Sequence, residues 1–262
     1  MSTPLRIAVA GAAGRMGRTV ISALGVREDC ALVAALEREG ADCIDALAAG
    51  DIPYATKLPD TDIDAVIDFS SAAGVAKNAS GALRAKAAYI ACVTGLDGAQ
   101  QKAIEGAAKS VAVVQAGNTS LGVAVLSSLV ERAARALGPD YDIEIVETHH
   151  RRKVDAPSGT ALLLGDAAAD GRDLSRDAVR KELNPDRSGA RGEGAIGFAV
   201  MRGGGVFGEH AVRLISEREE VTLSHRALDR GLFADGAIAA ALWAAGRTPG
   251  LYGMKDVLGL SD

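Results

Sequence analysis

Apolar and polar positions alternate in blocks along the first half of the chain. Leu5 to Ala10 form a short apolar run, a glycine-rich break follows, and a helix-period stretch then runs to about Gly25. A second apolar run covers Cys30 to Glu37, and the alternation returns in DAVIDFSS, AYIACVTG and VAVVQAGN, with alanine-rich helical stretches between them. Strands separated by helices of about ten or more residues predict βαβ units, because parallel neighbours need a crossover. Their continuously apolar character predicts strands covered on both faces.

The texture changes after Ser120. A long helical pattern, LGVAVLSSLVERAARAL, leads into YDIEIVET, where Tyr141, Ile143 and Ile145 alternate with Asp142 and Glu144 as in a half-buried strand. A basic cluster follows, then the PSGTALLLGDAAA helix, a polar stretch from Arg172 to Glu193, and three strand-like runs, GAIGFAVMR, VFGEHAVRLIS and EEVTLSHRA. Gly203, Gly204 and Gly205 mark a turn between the first two runs. Strands without intervening helices predict an antiparallel or mixed sheet. LFADGAIAAALWAAG, near the end, reads as an apolar helix that returns to the first domain. The expected organisation is therefore an α/β domain on a parallel sheet, residues 1–120 plus 229–262, and an α+β domain on a mixed sheet, residues 121–228.

Composition narrows the classes. The 262 residues are 48% apolar and 24% charged, with a net charge of −5 and a pI near 5.5. That balance makes no global case for nucleic acid or for an anionic membrane, so the basic cluster needs a local explanation. Cys30, Cys43 and Cys92 are irregularly spaced and read as reduced thiols, neither a disulfide framework nor a metal knot. No uncharged run approaches the roughly 20 residues of a membrane span. Met1-Ser-Thr-Pro leads directly into the first strand with no cationic segment or cleavage site, so a cytoplasmic protein is expected.

The first chemical signal is G-x-x-G-x-x-G at Gly11, Gly14 and Gly17, between a strand and a helix. Glycines there let backbone amides approach a pyrophosphate, whose charge the helix N-terminus favours. Alone the pattern is weak, but Glu37 lies at the end of the next strand, 20 residues beyond Gly17, where an acid would meet a ribose hydroxyl. Arg38 beside it suits a 2′-phosphate, so a nicotinamide dinucleotide is expected, with neither NADH nor NADPH excluded. The loops at Val93 to Gly95 and Ala116 to Ser120 would then face the nicotinamide.

The second signal is THHRRKVDAPSGTA, residues 148–161. Ser158 suits a helix N-cap, the amides after it suit an anion, and Lys153 supplies a point charge. A capped helix beside a solvated basic loop explains the same residues without function. Adjacent His149 and His150 point to opposite faces of a strand and have no partners at ligand spacing, so no metal is expected. His210 and His225 read as packing or hydrogen-bonding residues, and no G-x-S-x-G elbow supports a serine hydrolase.

EIVETHHRRKVDAPSGTA, Glu144 to Ala161, resembles the signature of the 4-hydroxy-tetrahydrodipicolinate reductase family, long called dihydrodipicolinate reductase. That signature is E-I-x-E-x-H, three variable residues, then K-x-D-x-P-S-G-T-A, and every fixed position matches. GAAGRMGR, ALERE, VTGL, GEH and PGLYGMKDVLGL extend the resemblance along the chain. It implies a Rossmann-like domain split around an α+β substrate and tetramerisation domain, a homotetramer, and reduction by NADH or NADPH of a small dicarboxylate, the dehydrated cyclic imine. By position, His149 would be the proton donor and Lys153 its catalytic partner, while His150, Lys153, Ser158, Gly159 and Thr160 would hold the substrate carboxylates. Gly11, Ala12, Arg15, Met16, Glu37 and Arg38 would serve the adenosine and pyrophosphate, and Gly95 with Ala116, Gly117, Asn118 and Thr119 the nicotinamide. Two positions depart from many members: Thr119 stands where an aromatic residue is common, and Val93 where threonine is. Another two-domain reductase of amino or imino acids would explain the first signal but not the match through PSGTA, and a silent dinucleotide sensor would need neither His149 nor Lys153.

Overall fold

The computed structural model describes residues 3–59, 61–181, 191–192 and 195–261. Most of the polar stretch between Lys181 and Glu193, and the opening Gly194 of GAIGFAVMR, lie outside the described residues. In chain order the first elements are β1 (Leu5–Ala10), α1 (Arg15–Leu24), β2 (Cys30–Leu36), β3 (Leu47–Ala49), β4 (Ile52–Ala55), β5 (Ala65–Asp68), α2 (Ala72–Ala85), β6 (Ala88–Ala91), α3 (Gly98–Ala108) and β7 (Ala112–Gln115). They continue with α4 (Leu121–Leu137), β8 (Asp142–His149), α5 (Gly159–Gly171), α6 (Arg176–Lys181), β9 (Ile196–Arg202), β10 (Gly208–Ile215), β11 (Glu220–Ala227), α7 (Gly231–Ala244), β12 (Gly250–Tyr252) and α8 (Met254–Val257).

Contacts divide the chain into two units, Met1–Leu121 with Arg230–Asp262, and Gly122–Asp229. The first holds a sheet of order β12-β7-β6-β5-β1-β2-β4-β3, parallel at every ladder except β3 against β4. Ile7, Val9, Val66, Ile67, Ile90 and Val113 are buried, as both-faced coverage requires. Each such side chain contributes roughly 1.5–3 kcal/mol by leaving water. β3, β4 and β12 are short strands that the sequence pattern does not reveal, and β3 and β12 form the two edges. The order reverses at β1, with β2 on one side and β5 on the other, which opens a crevice at the carboxyl end of β1.

α7 packs on β5, β6, β7 and α1 within the same unit. Its alanine-rich surface allows close approach: a Cβ on Gly236 would lie 1.8 Å from the Thr119 carbonyl oxygen.

The second unit is a four-stranded sheet of order β11-β10-β8-β9, antiparallel except where β8 runs parallel to β9. The mixed sheet agrees with the sequence reading. β8 inserts between β9 and β10, so the Gly203–Gly205 turn joins strands that do not pair. Ile143 and Ile145 of β8 pack with Val212 and Leu214 of β10, Phe198 of β9, Leu126 and Val130 of α4, and Leu164 of α5. Alternation and register put Val146, Ala199, Met201 and Ala211 on the opposite face of the sheet, where each keeps partial or full exposure. Among the described residues no helix is long and apolar enough to cross a membrane, and the three cysteines are free.

Candidate active site

In the first unit the turn after β1 is shaped by glycine. Gly11 has φ +71°, and a Cβ there would lie 2.7 Å from the Phe69 carbonyl oxygen, so a side chain is excluded both by conformation and by the loop after β5. A Cβ on Gly17 would stand 2.2 Å from the Gly11 carbonyl oxygen, which ties the first turn of α1 against its own entry loop. Gly14 caps α1 without a side-chain acceptor, and no acid occupies the first helical turn. The positive end of this helix therefore faces the crevice with no carboxylate of its own first turn to offset it. Exposed Arg15 and half-buried Met16 open the helix at the same place. The cradle fits a pyrophosphate.

The loop after β5 is fixed by the buried Asp68 carboxylate, which accepts from Ser70 N–H at 2.8 Å, Asn78 Nδ2 at 2.9 Å and Tyr89 Oη at 2.6 Å. Burial, then the Asp68 charge, push the Tyr89 hydroxyl far above its ordinary range, so it remains a donor. Glu37, at the end of β2, accepts from Ala13 N–H at 2.8 Å and Arg38 N–H at 3.2 Å. It therefore braces the glycine turn as well as facing the crevice edge, a task its place in the sequence does not disclose. Arg38 is exposed.

The loops after β6 and β7 lie side by side: a Cβ on Gly117 would stand 3.4 Å from Thr94 Cγ2, and exposed Gly95 takes φ +70°. Asn118 Oδ1 accepts from Ser120 N–H at 2.9 Å. The Thr119 side chain turns into the fold. It is 2% exposed and its hydroxyl donates to Phe233 O at 2.6 Å, so it serves the seat of α7 and leaves only main chain to face a ligand. Ala12 and Ala116 are likewise buried, their N–H groups donating to Leu36 O and Ala91 O, so they shape the two loops from beneath.

In the second unit, strand alternation turns Glu147 and His149 of β8 to the same, inner face. The Glu147 carboxylate, 1% exposed, meets His149 Nδ1 at 2.5 Å, Ser158 N–H at 3.0 Å, and Arg202 Nη1 and Nη2 at 2.8 and 2.9 Å. Register brings these groups together: β9 sets Arg202 level with His149, and β10 sets His210 opposite Glu147. Burial alone would raise the Glu147 carboxyl, but the hydrogen bonds from His149, Arg202 and Ser158 outweigh it and hold the group down to about 2. Ser158 caps α5, its Oγ accepting from Ala161 N–H at 3.1 Å and meeting His210 Nε2 at 3.0 Å. The His210 ring stands edge-on to His149 with centroids 5.0 Å apart, and burial, aided by the neighbouring His149, pushes its imidazole down to about 4.

The five basic or titratable residues of THHRRK do not act as one cluster. His149 is buried, His150 and Lys153 are half-buried, and Arg151 and Arg152 are exposed. Lys153 Nζ pairs with Asp155 Oδ2 at 2.8 Å, while the Asp155 carbonyl accepts from Arg202. The loop is pinned through His150 N–H to Val206 O and Gly203 N–H to His149 O. Gly159 and Thr160 form the opening of α5. The sequence reading gives no part to Glu147 or Arg202, whereas His210, expected to pack or to hydrogen-bond, meets Ser158 Oγ. Two signals point to Glu147: the period-2 alternation that places it beside His149, and its fixed place in E-I-x-E-x-H. Among the described residues no group of three His, Cys, Asp or Glu side chains is arranged to hold a metal ion.

A glycine cradle at the switch point of a parallel sheet, and a histidine–carboxylate site beside a helix N-terminus on a mixed sheet, define a dinucleotide-dependent oxidoreductase of two units. Comparison with known proteins narrows the class. The family described as dihydrodipicolinate reductase, N-terminus, matches residues 5–119, and its C-terminus counterpart matches residues 122–258. The chain is 48% identical over 261 residues to the 4-hydroxy-tetrahydrodipicolinate reductase of Caulobacter vibrioides, covering 99% of each. It is 45% identical over 271 residues to that of Roseobacter denitrificans, covering all of both. The chain belongs to the dihydrodipicolinate reductase family. A dipicolinate-bound dihydrodipicolinate reductase from Paenisporosarcina sp. TG-14 shares the fold at a TM-score of 0.76 and 20% identity, over 97% of this chain and 99% of that one. The protein is an oxidoreductase, and its cofactor is a nicotinamide dinucleotide.

Proposed function

We propose that this protein reduces the dehydrated cyclic imine of 4-hydroxy-tetrahydrodipicolinate to tetrahydrodipicolinate with NADH or NADPH, a step of lysine (diaminopimelate) biosynthesis in the cytoplasm. One observation carries the reading: a single buried carboxylate, Glu147, is bonded both to the His149 ring and to the amide that opens α5. A proton-bearing group and an anion-binding helix end are thereby held in one frame, as reduction of a dicarboxylate requires.

The bound nicotinamide supplies hydride. Hydride addition to a conjugated imine leaves an electron-rich enamine carbon, and His149 gives that carbon its proton. Lys153, His150, Ser158, Gly159 and Thr160 hold the two substrate carboxylates. Lys153 is paired with an Asp155 side chain that is 61% exposed, so exchanging that partner for a substrate carboxylate costs little. In the first unit, Gly11, Gly14, Arg15, Met16 and Gly17 receive the pyrophosphate, Glu37 and Arg38 the adenosine ribose, and Gly95, Gly117 and Asn118 the nicotinamide. Ala12, Ala116 and Thr119 support these loops. The partly exposed apolar face of the second unit's sheet supports self-association, and a homotetramer is the assembly proposed.

The decisive assay couples the purified protein to enzymatic formation of 4-hydroxy-tetrahydrodipicolinate in the same tube. NADH or NADPH should be oxidised only while that compound is being made. Oxidation that ignores it, or none in its presence, would remove the assignment.

A further inference from the structure

We infer that Glu147, clamped by Arg202 and by the Ser158 amide, is the positioning residue of His149, fixing the ring as the Nδ1–H tautomer so that Nε2 is the atom through which the proton passes. This rests on the proposed role of His149 as the acid.

Donors and acceptors around Glu147 decide which tautomer His149 takes. An ionised carboxylate only accepts, and it offers about four lone-pair sites. Four are occupied here: Ser158 N–H and Arg202 Nη2 meet Oε1, while Arg202 Nη1 and His149 Nδ1 meet Oε2. Three of these partners can only donate, and the same bonds hold the carboxyl down to about 2, so that it is ionised at neutral pH. The fourth, His149 Nδ1, must then be a donor as well. With its hydrogen on Nδ1, the neutral ring has a bare Nε2, which becomes N–H when the ring is cationic and is bare again once the proton has been given up. Space at Nε2 is kept by Gly208, where a Cβ would stand only 3.0 Å from that nitrogen although the backbone there needs no special conformation.

Arg202 makes the arrangement directional. Its fork is bidentate on Glu147 and is itself held by the carbonyls of Met201 and Asp155. The carboxylate is therefore held against rotation about its own axis, and the ring with it. In a Glu147→Gln protein, the amide oxygen must stay at Oε1 to accept Ser158 N–H. Its NH2 then faces His149 Nδ1 as a donor, which favours the opposite tautomer and puts the hydrogen on Nε2.

The test has two parts. Nitrogen NMR of histidine-labelled wild-type protein, which has only four histidines, is assigned with His149→Gln. It should show neutral His149 protonated at Nδ1 and bare at Nε2; the opposite tautomer overturns the inference, and this reading does not depend on any Glu147 variant folding. In kinetics, Glu147→Gln should lower kcat by about 10²-fold with little change in KM for the imine. The double variant with His149→Gln should be no slower than His149→Gln alone. Losses that multiply, or that fall on KM, would make Glu147 a general structural support and refute the positioning role. If His149→Gln itself leaves kcat unchanged, the acid assignment and the kinetic importance of the pair fall together, while the nitrogen spectrum still decides the tautomer on its own.

Discussion

The bond between Glu37 and the glycine turn changes what coenzyme selection should look like. From sequence, Glu37→Ala removes only a charge that favours NADH. In the structure the same carboxylate accepts from Ala13 N–H at 2.8 Å, so the alanine variant also leaves a loop amide without its partner. That amide loss costs about 1–2 kcal/mol and is felt by both coenzymes, since both need the turn formed. Glu37→Gln separates the effects, because its amide oxygen keeps the Ala13 contact while the charge is gone. Two unit charges about 5 Å apart at an effective dielectric near 20 interact by about 3 kcal/mol, which exposure and salt reduce to roughly 1–2 kcal/mol. Glu37→Gln should therefore move the NADPH-to-NADH ratio of kcat/KM by about 5- to 30-fold towards NADPH. Arg38→Ala should move it the other way. Glu37→Ala should raise the KM of both coenzymes together, beyond the shift in ratio. The assay is steady-state kinetics with each coenzyme at saturating imine, for wild type and all three variants. A Glu37→Gln protein with an unchanged ratio would refute the charge argument, and a Glu37→Ala protein impaired with NADH alone would refute the bracing role.

Three further outcomes follow from the same geometry. Pyridine-2,6-dicarboxylate should inhibit competitively with the imine, and Lys153→Ala should weaken it by about 10-fold or more, as loss of a charged hydrogen bond implies; inhibition untouched by that change would take Lys153 out of the site. Gly17→Ala should lower stability by about 1–3 kcal/mol in urea unfolding and abolish tight coenzyme binding, because its Cβ would fall 2.2 Å from a backbone oxygen that has nowhere to go. The His210 imidazole is held down to about 4 against an ordinary 6.5, so the unfolded chain takes up that proton first and stability rises with pH across this window. Acidification from pH 6.5 to 4 should therefore remove up to about 3 kcal/mol, and His210→Asn should flatten that part of the unfolding profile.

The legibility of this chain follows the range of the interactions. β1, β2, β5, β6 and β7 are plain in sequence because each is an apolar run between glycine or polar breaks, and burial on two faces demands that. β3, β4 and β12 are not, since three or four residues with Pro53 or an exposed Leu47 among them become strands only when an existing edge accepts them. His149 and Ser158 could be picked out because one contiguous stretch carries them. Arg202 and His210 arrive on other strands by register, and that register depends on β8 entering between β9 and β10, a pairing that periodicity does not encode. Thr119 shows the converse, a motif position whose side chain the fold has taken for the seat of α7.

The return of the chain to its first unit also sets an order in time. On a ribosome, β1 to β7 emerge early, yet α7, which covers β5, β6 and β7, is made only after the whole of Gly122–Asp229. At the usual rate of synthesis that delay is roughly 5–20 s, longer than small domains ordinarily take to fold. The inserted unit, being continuous, can close while its host still lacks a covering helix. The nascent protein thus passes through a stage with a finished second unit and an open parallel sheet, and during this stage a chaperone has a surface to hold.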